Sequence, residues 1–307
     1  MNLVIALTDK GWYDHLRARL DLTEVNFWAP SASPFRALQE GELFLFKLHA
    51  PRNFVVGGGV FAHATALPCS LAWEAFGEAN GARTLSEMRS RIAHYRRADA
   101  IDKIDFKVGC RILTQPFFLS EPEWIPVPKN WPRHTQTFKT YAANEGEGLE
   151  LWKALEDRKM LGRHTGFAEE ATGPIRFGRP TLVQPRLGQG AFRIVVTDSY
   201  DRRCAVTSER TLPALDAAHI KPYGEGGRHE RSNGLLLRRD LHKLFDDGYV
   251  TVTPDLAFEV SKRIKEEFEN GRLYYALHGT RIRTPQNAAW QPDRAALTWH
   301  NEKRYNG

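Results

Sequence analysis

Five polar residues between positions 216 and 246 have types and spacings that could do chemistry: Asp216, His219, Asn233, His242 and Asp246. They stand in Asp216-Ala-Ala-His219-Ile-Lys-Pro222, then Asn233 fourteen residues after His219, His242 nine further on and Asp246 four beyond that. A spacing of four on a helix puts His242 and Asp246 on one face. An imidazole and a carboxylate so placed can share a divalent cation. A histidine on a neighbouring β-ribbon would face that cation and could take a proton from water. A base, a metal and room for a phosphate are what phosphodiester hydrolysis requires. The geometric condition is that His219, His242 and Asp246 converge on one ion-sized gap.

The surrounding pattern supplies elements to position them. Phe192 to Tyr200 reads as a helix and Cys204 to Val206 as a short strand. Asp216 to Lys221 is strand-like and ends at Pro222, where a turn carrying Gly224, Gly226 and Gly227 begins. Asn233-Gly234 opens the buried strand Leu235 to Leu237, and Asp240 is placed as N-cap of a helix running to Phe245. Beyond it come a hairpin over Tyr249 to Val260, a helix near Ser261 to Glu269 and a terminal helix near Arg294 to Arg304.

The segments AAHIKP and NGLLLRRDLHKLFDDG, with CAVT at Cys204 to Thr207 upstream, resemble the HNH (ββα-metal) nuclease family over about residues 186–260. The resemblance implies that His219 is the general base, that Asn233 pins the loop and orients His219, and that His242 ligates the metal. Asp246 matches a position where some relatives place a further ligand. Many members carry Asp or His directly before the general base, where this chain has Ala218. Asp216 lies two residues before Ala218, on the same strand face, and is the substitute ligand offered here. Lys221, Arg238 and Arg239 are the nearest basic candidates for phosphate contacts. The implied cofactor is one divalent metal per site, Mg2+, Mn2+ or Ni2+.

The rest of the chain narrows the class. With 307 residues there is material for two ordinary domains. Cys69, Cys110 and Cys204 are far apart, with no CxxC pair, which excludes zinc-ribbon clusters and argues against a disulfide framework. No apolar run approaches the roughly 20 residues of a membrane span, and the start of the chain lacks the basic flank of a signal peptide. These features favour a cytoplasmic protein. The net charge of +6 has the sign expected of a nucleic-acid binder.

Residues 1–135 hold short apolar strands broken by Gly and Pro, with helices at Leu71 to Phe76 and Leu85 to Tyr95. Asn53 to His63 reads as two strand pieces around three glycines, a sign of a bulge or close backbone approach. The run Asn26-Phe-Trp28-Ala-Pro-Ser31, then Phe35, then Gly41-Glu-Leu-Phe-Leu-Phe-Lys47, resembles the PUA superfamily in its EVE and ASCH-like branches. That resemblance implies a small β-barrel taking nucleic-acid bases, often modified ones, into an aromatic pocket. Trp28, Phe35, Ser31, His49 and Trp73 are its base-binding candidates, Trp28 foremost.

The expected architecture is α+β: a PUA-like β-barrel with helices over 1–135, a connector over 136–185 with a helix at Gly148 to Arg158, and a ββα-metal HNH domain over 186–307. Gly162, Gly166, Gly173, Pro174, Gly178 and Pro180 mark a linker or extended arm inside the connector. The expected activity is a metal-dependent DNA endonuclease of the modification-dependent restriction type, acting on double-stranded DNA with modified cytosine. Duplex cleavage with one such site per chain calls for a homodimer or two sequential nicks. The rival readings are a nuclease indifferent to modification and a nucleic-acid-binding protein whose nuclease site is degenerate at Ala218.

Overall fold

The computed structural model describes residues 1–96, 105–132, 137–158, 160, 180, 182–183 and 185–307. Gly162, Gly166, Gly173, Pro174 and Gly178 of the expected linker lie outside them. The chain divides into two compact units, Met1–Leu187 and Gly188–Gly307.

Unit 1 is a seven-stranded mixed sheet with helices. Its strands are β1 (Asn2–Thr8), β2 (Glu24–Ala29), β3 (Leu43–Leu48), β4 (Phe54–Pro68), β5 (Lys107–Phe118), β6 (Ile125–Pro126) and β7 (Phe138–Ala142). Its helices are α1 (Lys10–Arg17), α2 (Cys69–Phe76), α3 (Leu85–Arg96) and α4 (Gly146–Asp157). The strand order is β2-β5-β4-β3-β1-β7, with β6 added on β4. β1 and β3 pair in parallel, and Leu3 to Ala6 and Leu43 to Phe46 are continuous buried apolar runs, as expected of strands covered on both faces. Asp9 caps α1 by accepting from the Trp12 amide at 2.6 Å, which turns the chain sharply off β1.

The triple glycine of β4 is a close backbone approach. A Cβ at Gly57 would lie 2.3 Å from the Phe117 carbonyl oxygen, and one at Gly58 would lie 2.7 Å from the Phe44 oxygen. The strand runs through the glycines as one element, with register shifts between Gly58 and Val60 and between Phe61 and His63. Residues 138–157, expected in the connector, belong to unit 1: β7 pairs antiparallel with β1, and Leu151, Trp152 and Leu155 of α4 are buried in its core.

Unit 2 opens with α5 (Gln189–Ser199) and continues through β8 (Leu215–His219), β9 (Gly234–Arg238) and α6 (Arg239–Asp246). It then adds β10 (Val250–Val252), β11 (Phe258–Val260), α7 (Arg263–Phe268), α8 (Arg272–Tyr275) and α9 (Arg294–Lys303). β8 and β9 form an antiparallel ribbon in which His219 faces Gly234 and Asp216 faces Leu237. Cys204 to Val206 is a turn and not the expected strand: the Ser208 amide returns to the Cys204 carbonyl, and Ala205 makes a single link to Leu236. α6 begins one residue before Asp240, with Arg238 at its N-cap position. Leu241 and Phe245 face the core, and His242 and Asp246, each one residue further on, point about 100° round the helix from them.

Beneath α6, His300 is 2% exposed and stacks on Phe245 at 3.6 Å. Its Nδ1 pairs with the Thr251 hydroxyl and its Nε2 with the Phe245 carbonyl. Burial pushes its pKa down to about 4. In the unfolded chain a histidine titrates near 6.5, so the unfolded state binds the extra proton between those values. Stability is therefore full above about pH 6.5 and falls by about 3 kcal/mol as pH drops through 4. Denaturant unfolding across this range should show that slope, and a H300Q chain should lack its share of it.

Candidate active site

The β8–β9 ribbon and α6 bring His219, Asp216, His242 and Asp246 to the wall of one cavity of about 620 Å3. Phe192 and Arg193 of α5, together with Arg304, complete much of its lining. Gly234 makes this packing possible. A Cβ there would stand 2.4 Å from Val196 Cγ2 and 3.1 Å from Phe192 Cζ. Without one, the Phe192 ring lies flat on the His219 imidazole, centroids 3.8 Å apart and planes 10° apart.

Asn233 is 6% exposed and spends its whole amide on the loop. Its Oδ1 accepts from the Lys221 amide, and its Nδ2 donates to the Lys221 and Arg228 carbonyls, each at 2.9 Å. These bonds close the turn that follows His219, where a Cβ on Gly227 would sit 1.8 Å from the Lys221 oxygen. Replacing Asn233 by Ala orphans those groups at about 1–3 kcal/mol for a buried one. Asn233→Ala should lower the thermal midpoint and the cleavage rate together. A variant with wild-type melting and rate would show that the loop needs no such clamp.

His242 is held from both ring nitrogens. Nδ1 lies 3.2 Å from Asp216 Oδ2, and Nε2 lies 3.3 Å from Asp246 Oδ2. Burial lowers its pKa, but the hydrogen bond to Asp216 and the charges of Asp246 and Asp216 outweigh that and the net shift is upward. Asp216 also meets Arg193 Nε at 3.3 Å. Burial alone would raise its pKa, yet the His242 hydrogen bond and the Arg193 charge bring it below the ordinary carboxylate value. Burial leaves Asp246 shifted upward. For His219, burial and then the nearby His229 and His242 push the pKa down to about 4, so the ring is neutral at pH 7.

Among the described residues no three His, Cys, Asp or Glu side chains form a group that could hold a metal ion. His219 lines the same cavity as His242 and Asp246, and its Nε2 is bonded to His229 Nδ1 at 2.9 Å. The donors that fit a cation are two. His242 Nε2 and Asp246 Oδ2 are spaced as neighbours in a coordination shell, while Asp216 on the other ring nitrogen is placed as a carboxylate that orients a liganding histidine.

The basic candidates separate. Arg238 is tied to Asp240 through two hydrogen bonds of 2.9 and 2.5 Å. Lys221 Nζ stands 5.7 Å over the Trp299 ring. Neither these two nor Arg239 lines the cavity, whereas Arg193 and Arg304 do. Those two arginines come from outside the motif, 23 residues before Asp216 and 58 after Asp246, so no local spacing could flag them.

Residues 204–253 match the family model described as HNH endonuclease. Unit 2 carries an HNH endonuclease domain. The match falls within the stretch over which the sequence shows that resemblance. A search among curated proteins finds no match. Among solved structures, the chain is similar to ASCH from Zymomonas mobilis, with 12% identity, 53% of this chain and 94% of that one covered, and a TM-score of 0.32. It is also similar to the modification-dependent restriction endonuclease TagI, with 14% identity, coverage of 98% and 81%, and a TM-score of 0.32. The phosphorothioation-dependent restriction endonuclease ScoMcrA is a third, at 13% identity, coverage of 78% and 48%, and a TM-score of 0.19. No helix among the described residues is long and apolar enough to cross a membrane.

Unit 1 has its own cavity, of about 580 Å3. Trp28, Ser31, Phe35 and His49 line it, as do Asp9 and Arg111. Trp73 does not: it lies on α2, outside that lining. Trp28 donates its indole N–H to the Asn80 carbonyl at 2.9 Å. Arg111 was missed by sequence reading. It is 8% exposed, donates to the Gly109 carbonyl at 3.3 Å, and holds its guanidinium 5.2 Å over the Phe35 ring. Among the described residues no carboxylate pairs with it. A lone Arg inside a β-strand, flanked by Cys110 and Ile112, carries no motif that could have announced it.

Proposed function

We propose that this chain is a divalent-metal-dependent DNA endonuclease that acts on DNA carrying a modified base, modified cytosine being the class favoured. Unit 2 would hydrolyse the phosphodiester bond and unit 1 would select the substrate. The observation that carries the catalytic half is that His219, Asp216, His242 and Asp246 line one cavity beside two arginines. In this reading the neutral His219 removes a proton from water, Asn233 fixes the loop that sets its position, and Arg193 and Arg304 bind phosphate oxygens. His242 and Asp246 would hold the metal, Asp216 would orient His242, and the bound ion would supply charge neutralisation at the scissile phosphate.

The selecting half rests on the unit 1 cavity. Its volume lies in the range of sites for small organic ligands. A base taken out of the stack needs aromatic faces and edge hydrogen bonds; Trp28, Phe35 and Arg111, which line the cavity, would supply them in this reading. Restriction of foreign DNA in the cytoplasm, by a homodimer or by two sequential nicks, is the role this combination suits. The test is cleavage of matched plasmids bearing cytosine, 5-methylcytosine or 5-hydroxymethylcytosine, each with Mg2+, Mn2+, Ni2+ or chelator. Cutting confined to one modified plasmid and to metal is expected. Equal cutting of all three removes the selecting half, and cutting in chelator removes the metal.

A further inference from the structure

His219 has two ring nitrogens, and unit 2 engages one of them. Nε2 lies 2.9 Å from Nδ1 of His229, ten residues on in the glycine-rich turn. Among the described residues Nδ1 of His219 has no hydrogen-bond partner, so it is the nitrogen available to a reacting water. A neutral imidazole carries one proton. If that proton is on Nδ1, the ring is no base there. If it is on Nε2, the Nδ1 lone pair is open, but the Nε2 proton then needs an acceptor. His229 Nδ1 is placed to be that acceptor, which puts His229's own proton on its Nε2.

The rings are fixed in this relation. Phe192 stacks on His219. Tyr223 stacks on His229, centroids 4.9 Å apart and planes 6° apart. Asn233 holds the Lys221 and Arg228 carbonyls at the two ends of the turn between the histidines. His229 is not among the residues lining the cavity that His219 lines, and it meets that lining through His219 and Tyr223.

We propose that His229 is a positioning residue for His219, its Nδ1 accepting the Nε2–H and thereby holding the base lone pair on Nδ1. The inference rests on the reading of His219 as the general base. When His219 takes the water proton on Nδ1, the ring becomes an imidazolium. Its Nε2–H still points at a neutral acceptor, which shares the positive charge. A carbonyl or carboxylate commonly takes this second ring proton. An imidazole in that place supports the tautomer without adding a negative charge, in keeping with the low basicity of His219.

The test uses the full chain and two readouts. The first is two-bond 1H–15N correlation on histidine-labelled protein, with His219 assigned from H219Q. The expected result is His219 in the Nε2–H form and His229 in the Nε2–H form. The second is single-turnover nicking by H229A, H229L and H229N. H229A and H229L should lose about 10- to 100-fold in rate with DNA affinity unchanged. H229N, whose side-chain oxygen can accept at the position of Nδ1, should regain most of that loss. A wild-type His219 in the Nδ1–H form, a H229A rate equal to wild type, or a H229N as slow as H229L each overturns the proposal. If the wild-type chain nicks no DNA, the nuclease reading fails by itself, and the tautomer spectrum still decides the pairing.

Discussion

His219→Ala is expected to slow nicking by about 100- to 10,000-fold, the range of a lost general base, while DNA affinity stays as in the wild type. The magnitude follows from the site's composition. His219 is neutral at pH 7 because burial and the nearby His229 and His242 disfavour its charged form. Its Nδ1 is uncommitted, whereas both nitrogens of His242 already face carboxylates. No other imidazole lining the cavity can take over. Affinity should hold because the arginines lining the cavity, Arg193 and Arg304, are untouched. Removing the imidazole also removes the stacking partner of Phe192, so H219Q, which keeps a planar polar group, should accompany H219A. Filter binding gives the affinity and single-turnover nicking gives the rate. H219A cutting at the wild-type rate at equal metal would leave the cavity without its base.

How much of this was legible in the sequence depends on the distance over which each contact forms. His219, Asn233, His242 and Asp246 could be read because a ribbon and the helix after it place them locally, at fixed offsets. The i and i+4 pair on α6 needs only helical geometry, and the side chain of Asn233 needs only a turn that comes back to its own strand. His229 was invisible because its approach to His219 depends on the path of the turn, which Gly226 in a left-handed conformation and the side-chain-free Gly227 determine. Arg193 meets Asp216 only because α5 lies against the ribbon at Gly234.

The same distinction accounts for the fold. Apolar runs such as Leu43 to Leu48 declare a strand whatever their partners. Phe138 to Ala142 does not, since its place in the sheet comes from pairing with β1, more than 130 residues away. Cys204 to Val206 shows the reverse error. Three apolar residues suggested a strand, but burial of Cys204 and Ala205 against the unit 2 core satisfies them in a turn. The carboxylates around His242 lie between these cases. Helical spacing brings Asp246 to one ring nitrogen, but Asp216 sits against the other, an arrangement that strand alternation alone could not specify.

The other large effect should fall on selectivity and leave chemistry intact. In unit 1, Arg111 is a buried guanidinium resting on Phe35 with no carboxylate to neutralise it among the described residues. Burial lowers its pKa, a sign that the folded chain keeps this charge at a cost. A ligand edge rich in acceptors would offset that cost, and a stacked ring on Phe35 would cover the same surface. Loss of one stacking face is worth about 1–3 kcal/mol per base. Phe35→Ala should therefore reduce the preference for the selected modified DNA by roughly 5- to 150-fold. Arg111→Gln should do so to a similar degree, with nicking of non-selected DNA unchanged. Because the two side chains touch, the double variant should lose less than the sum of the singles. The contribution of Arg111 should also survive added salt, since a buried contact is screened far less than a surface phosphate contact. Binding of modified and unmodified duplexes at two salt concentrations measures all of this. If neither single variant alters the ratio, this cavity does not read the base, and selection must come from another surface of the chain.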